Sequence, residues 1–206
     1  MAERIDYFFT VTSPWAYLGH DAFLTLADRH RAQIAYRPIP IGPVFAASGA
    51  VPLAQRPAIR QRYRLIELQR WRARRGLPLN LKPAFHPADA SLADCAAIAI
   101  AQRGGDPGAY LSRAFRAVWA EERNIADEGV VGDLLEASGE AADAIVAAAG
   151  SEAVREIYRA NGEAATATGG VGSPVYVRRG EPFWGQDRLD FLDEALASGR
   201  APFTAA

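Results

Sequence analysis

This chain has one cysteine, Cys95, among its 206 residues, and that scarcity removes several chemistries. A single thiol cannot form an internal disulfide, a Cys-x-x-Cys redox pair or a zinc site built on thiolates. Histidine is nearly as rare: His20, His30 and His86 are scattered without ligand spacing, so no metal is expected. Long apolar runs are missing as well. No stretch approaches the roughly 18 uninterrupted apolar residues of a membrane span, and Met1 to Arg4 lead on without a signal-peptide hydrophobic region. A cytoplasmic location is therefore expected. Lysine occurs once, at Lys82, although Lys and Arg together number 23 against 24 Asp and Glu, for a net charge of -1.

What is present reads as an ordinary globular chain. Half of the residues are hydrophobic, and 22.2 kDa is enough for one domain or two small ones with a real core. The organising stretch is Ile5 to Leu18. A short apolar strand stops at Thr12 and Ser13 and turns directly into a helix, with Ser13 suited to the N-cap and Pro14 to the first helical position. The first four helical N–H groups have no partner inside a helix, so a hydroxyl or thiolate held there sits in a positive field. Ser13 is thus either a structural cap or a working hydroxyl.

Apolar residues spaced by three and four (Trp15, Leu18, Ala22, Phe23, Leu26 and Ala27) predict a helix to about His30, and Ala32 to Ile41 reads as a second strand. Pro38 and Pro40 demote its end to an edge or an exit loop. This is a βαβ unit with parallel strands. From Gly42 no strand is expected until Gly169. A connector runs to Pro57, followed by helices at Ala58 to Arg75, Asp89 to Arg103, Pro107 to Asn124, Val130 to Ala137, Ala141 to Ala149 and Ser151 to Ala167. Ser173 to Arg178 and Glu181 to Trp184 flank the Arg179-Gly180 turn as a hairpin, and Arg188 to Ala197 forms a last helix. The order βαβ, helical block, ββα predicts a four-stranded mixed sheet. It is an α/β chain of thioredoxin-like architecture, with residues 1–42 and 169–206 as one domain and an all-helical domain inserted at 43–168.

Ser13-Pro14-Trp15-Ala16 stands where a thioredoxin-like oxidoreductase carries Cys-x-x-Cys, so dithiol exchange is impossible here and a hydroxyl remains. Gly172-Ser173-Pro174 occupies the position of the cis-proline in such folds. A cis bond there would turn the N–H and C=O of Ser173 outward for an extended peptide ligand; the plainer reading is a strand start. Asp187 either caps the last helix or, with Arg188, grips the α-amino and α-carboxylate ends of an amino-acid-like group. Eight arginines against Glu67 between Arg56 and Arg75 read as a solvated helix face with Arg60 turned to an anionic ligand. No aromatic platform or motif accompanies them, so nucleic acid is not expected. Cys95 reads as a small buried hydrophobe, and His86 as either a cleft residue or a surface one.

Together these residues resemble the 2-hydroxychromene-2-carboxylate isomerases, grouped with the kappa-class glutathione transferases in the DsbA-like branch of thioredoxin folds. The resemblance spans nearly the whole chain. It rests most on Phe183-Trp184-Gly185-Gln186-Asp187-Arg188-Leu189-Asp190-Phe191-Leu192, with Ser13-Pro14-Trp15, Arg37-Pro38, the set Arg60, Tyr63, Glu67, Arg70-Trp71, and Asn161 through Gly169, Gly172 and Pro174. It implies a glutathione-dependent cis–trans isomerase acting on a ring-opened aromatic intermediate, with glutathione as cofactor and a homodimer as the assembly. Ser13 would activate glutathione, Ser173 pair with its cysteinyl backbone, and Asp187 with Arg188 hold its γ-glutamyl end. Trp15, Arg60, Pro174 and Trp184 complete that implied site, and Tyr17, Phe45 and His86 face the substrate. Ala46 and Ala50 depart from the family's lysine and asparagine, Ser173 from its valine and Arg60 from its lysine. A kappa-like transferase or peroxidase and a non-catalytic binding module are the alternatives.

Overall fold

A computed structural model describes residues 3–205. The expectation about how Met1 and Ala2 lead into the first strand lies outside the described residues. Strand β1 (Arg4–Phe9) is followed by α1 (Pro14–Arg29) and β2 (Gln33–Pro38). Seven helices follow in the described chain: α2 (Ile41–Ser48), α3 (Ala58–Arg75), α4 (Ser91–Gln102), α5 (Gly108–Trp119), α6 (Glu128–Glu136), α7 (Ala142–Ala149) and α8 (Glu152–Ala167). Strands β3 (Val175–Arg178) and β4 (Glu181–Trp184), a 3-10 turn at Gln186–Arg188 and α9 (Leu189–Ser198) close the fold. The sheet order is β2-β1-β3-β4, with β1 and β2 parallel and the other pairs antiparallel.

The pattern of β1 explains its central place. Ile5, Tyr7 and Phe9 enter the larger core on one face of the sheet, while Phe8 enters a second cluster with Ile39, Val44, Val175 and Val177 on the other. A strand buried on both faces needs an almost unbroken apolar run, which this one has. Tyr7 sits opposite Tyr176 of β3, their ring centroids 5.2 Å apart, and Phe23 of α1 packs 4.5 Å from Tyr176. The prolines fall on the outer strands, Pro38 in β2 and Pro182 in β4, where a missing donor is tolerated. Among the described residues no helix is long and apolar enough to cross a membrane.

Several boundaries differ from the sequence expectation. Strand β1 ends at Phe9 because Thr10 to Thr12 are drawn into a turn, and β2 ends at Pro38. The stretch from Gly42, expected as a plain connector, holds most of α2. Val44 of this helix is buried in the smaller cluster and its end is set by Gly49 in the left-handed conformation. Helix α4 starts at Ser91 and α5 stops at Trp119, both shorter than expected. Asp187 does not cap α9; its carboxylate pairs with Arg188, and the helix begins at Leu189 without a side-chain cap.

The start of α9 is set instead by Gln186. Its side-chain oxygen accepts hydrogen bonds from Arg75 of α3 at 2.8 and 3.2 Å, and it packs on Gly19 of α1. A Cβ on Gly19 would stand 2.5 Å from Gln186 Cβ and 2.9 Å from the Tyr176 hydroxyl, so α1 can approach only as glycine. Gly19→Ala is expected to destabilise the chain by about 1–3 kcal/mol through overpacking. Thermal melting should show a fall of roughly 2–4 °C for each kcal/mol; an unchanged melting temperature would contradict this packing.

Candidate functional site

The chain turns sharply at the end of β1, and the turn presents Ser13. The Ser13 N–H donates to Thr10 O at 3.0 Å, and its backbone is extended (φ -89, ψ 117) immediately before Pro14 opens α1. Its hydroxyl accepts from the Ala16 N–H at 3.2 Å, so Ser13 is an N-cap. The same hydroxyl donates to the carbonyl of Ser173 at 2.9 Å, reaching a residue 160 positions away. A cap needs only the first bond; the second ties the helix start to the loop before β3.

That loop carries a cis peptide bond between Ser173 and Pro174. Ser173 Oγ accepts from the Thr10 N–H at 3.1 Å, and Pro174 O accepts from the Gly185 N–H at 2.9 Å. Ser13, Ser173, Pro174 and the Gly185 turn are therefore stitched into one patch. The Ser173 carbonyl, expected to face outward, is taken by Ser13. Trp184, 54% exposed, lies with its indole nitrogen against Gly172, where a Cβ would come within 2.9 Å. Asp187 and Arg188 stand beyond it as an exposed ion pair at 3.0 Å, each other's partner.

Trp15, two residues after Ser13, meets α3. Trp15 shares a cavity of about 430 Å3 with Arg56, Ile59, Arg60, Tyr63, Arg64 and Glu67. Arg60 is exposed there, whereas Arg64 is the more buried guanidinium, its pKa lowered first by burial and then by Arg56. Phe45 of α2 lies under Arg56, with the guanidinium carbon 6.0 Å from its ring centre. His86 packs at a tilt against Trp119, ring centroids 4.8 Å apart, and faces the backbone of Thr12; burial, followed by Arg64, holds its pKa below the ordinary value. Tyr17 is not brought to this cleft. It is 3% exposed and its hydroxyl donates to Pro78 O at 2.6 Å, tying α1 to the loop after α3. Cys95 is buried in α4, its thiol pushed up to about 12 by burial.

Two residues not singled out from sequence brace the turn from behind. Trp119 donates its indole N–H to Val11 O at 3.1 Å. Asp94, fully buried in α4, accepts from the Val11 N–H at 3.0 Å and from the Tyr158 hydroxyl at 3.0 Å, and the nearby Thr10 hydroxyl also favours its charged form. Burial raises its carboxyl to about 7 in spite of these bonds. Because that value lies above the ordinary one of 3.8, the folded state favours the proton. Its contribution to stability is complete at pH values below the ordinary carboxylate value and is lost as the pH rises through about 7. A lone acidic residue near the start of the apolar run from Ala93 to Ile100 was the available signal.

The DSBA-like thioredoxin domain family matches residues 4–197. The fold and site define the class: a thioredoxin-like fold with a hydroxyl in place of the redox thiols. A curated 2-hydroxychromene-2-carboxylate isomerase from Sphingobium xenophagum is 30% identical over 198 residues, covering 95% of this chain and 99% of that protein. One of the same name from Pseudomonas putida is 28% identical over 193 residues, covering 93% of each. A solved structure of selenomethionine 2-hydroxychromene-2-carboxylate isomerase superposes with a TM-score of 0.78 at 28% identity, covering 95% of both chains. The chain belongs to the DSBA-like thioredoxin domain family and, within it, to the 2-hydroxychromene-2-carboxylate isomerase family.

Ser173→Ala removes the acceptor of the buried Thr10 N–H and is expected to cost about 1–3 kcal/mol. Chemical denaturation measures this directly, and a change below the experimental error would show that Ser173 does not hold the turn.

Proposed function

We propose that this protein is a glutathione-dependent cis–trans isomerase that acts on a ring-opened aromatic acid. The observation that carries the reading is the Ser13 hydroxyl, held at the N-terminus of α1 and directed to the residue before a cis-proline. The relatives named as isomerases of a carboxylate support the substrate class.

The residues present fit glutathione. Ser13 offers a hydroxyl donor at the N-terminus of α1, where the helix dipole favours a thiolate over a thiol. The Asp187–Arg188 pair is exposed, and such pairs contribute little on their own, so exchanging it for the ammonium and carboxylate of a γ-glutamyl group costs little. Ser173 and Pro174 would line the peptide backbone, with Trp184 flanking them and Trp15 and Arg60 in the cavity against α3. When bound, glutathione supplies a thiolate whose reversible addition to a conjugated double bond allows rotation before elimination restores it.

The chain's own contribution is to hold and charge that thiol. Ser13 must turn its proton from Ser173 O to the sulfur, exchanging a neutral hydrogen bond of about 1 kcal/mol for a charge-assisted one of about 1.5–3. The helix terminus adds roughly 0.5–1 kcal/mol. The net of about 1–3 kcal/mol lowers a thiol pKa of about 8.5 to roughly neutral, because one pKa unit is about 1.4 kcal/mol. Arg56, Arg60 and Arg64, beside Trp15, would take the substrate carboxylate, since planar guanidinium groups match its two oxygens. Phe45, under Arg56, and His86, within electrostatic reach of Arg64, would border that carboxylate site.

Ser13→Ala is expected to raise the pKa of the bound glutathione thiol by about one, read by ultraviolet thiolate absorbance, and to slow turnover at neutral pH. An unchanged titration sinks the assignment. Product analysis with glutathione consumed in stoichiometric amounts would replace isomerisation by transfer.

A further inference from the structure

We infer that Asp94 is the positioning residue for Ser13: its carboxyl holds the Thr10–Ser13 turn through its hydrogen bond from the Val11 N–H and makes the turn's geometry depend on whether it carries a proton. The inference rests on Ser13 being the working hydroxyl proposed above. Asp94 touches neither Ser13 nor the cleft, and acts through the backbone between them.

The bonding can be followed atom by atom. As a carboxylate, Asp94 accepts from the Val11 N–H and the Tyr158 hydroxyl, and the nearby Thr10 hydroxyl also favours its charged form. A protonated carboxyl must donate once. The Val11 N–H cannot reverse, so one of the two hydroxyls has to turn and accept. Thr10 Oγ1 lies 3.1 Å from Thr12 Oγ1, so its reorientation passes to the residue before Ser13. The Thr10 N–H is meanwhile fixed on Ser173 Oγ, whose carbonyl receives the Ser13 hydroxyl. Thr10 therefore joins the buried carboxyl to both partners of the working hydrogen bond.

The surroundings leave few other groups to titrate at that place. Facing Asp94 are Tyr7 of β1, Tyr110 of α5 and Tyr158 of α8, all pushed above the ordinary tyrosine value first by burial, with Cys95 beside it and Asp89 before α4. Arg155 of α8 acts on Cys95, and no ion pair to Asp94 occurs among the described residues. His86, against Thr12, is the one competing group on the turn.

The test is a pH titration of the nitrogen-15-labelled full chain, reading the Val11 and Ser13 amide resonances without any ligand. The wild type is expected to show both amides moving with one midpoint near neutrality, and Asp94→Asn, which imitates the protonated acid, to abolish that transition. The pH profile of glutathione-dependent turnover should lose the matching inflection in the same variant. A flat wild-type titration overturns the inference. So does a transition that survives in Asp94→Asn, or one that disappears in His86→Asn instead. If Asp94→Asn does not fold, Tyr158→Phe provides the reading: loss of a donor to the carboxylate should raise the midpoint by roughly half a pH unit or more, and an unmoved midpoint overturns the inference. A chain that binds no glutathione fails the functional proposal while leaving the amide titration to be judged by itself.

Discussion

The hydrogen bond from Ser13 to the Ser173 carbonyl joins the two ends of the chain, and the site depends on it. It exists because β1 and β3 are neighbours in the sheet, which brings the end of one strand beside the start of the other. The cis bond at Pro174 and the Thr10–Ser173 contact then set how the two loops meet. Several other candidate residues are placed relative to this junction. Trp184 rests on Gly172, the Asp187–Arg188 pair follows the turn that Pro174 anchors, and Trp15 stands two residues after the cap, within the first turn of α1.

The junction is buried and polar, which is costly unless each group finds a partner. The chain meets that cost from three directions: Ser173 for the Thr10 amide, Asp94 for the Val11 amide and Trp119 for the Val11 carbonyl. Two of those braces come from the helices between β2 and β3. The helical block thus braces the reactive turn, and its α3 carries the arginines that share a cavity with Trp15.

The sheet, the cap and most helices were legible in the sequence because each has a local cause. Short, mostly apolar runs marked β1 and β3, Ser13-Pro14 marked the start of α1, and Gly76 and Gly199 marked helix ends. Helix α2 was not legible, since Ile41-Gly42-Pro43-Val44 has poor helix propensity and is helical because Val44 finds the Phe8 cluster. Tyr17, expected at the substrate from the resemblance alone, is carried into the core by one turn of helix, with its hydroxyl bound to Pro78 O. The role of Asp94 depends on a contact 83 residues away, and no local pattern announces a contact of that kind.

The account turns on one exchange, in which the Ser13 proton leaves the Ser173 carbonyl for a thiolate. A crystal structure of the chain with glutathione bound tests it most directly. The account predicts the sulfur at roughly 3 to 3.5 Å from Ser13 Oγ, within reach of that hydroxyl, and the Ser13–Ser173 contact lengthened beyond hydrogen-bonding distance. Glutathione seated elsewhere, or a Ser13 hydroxyl still bound to Ser173 with the sulfur out of reach, would contradict it.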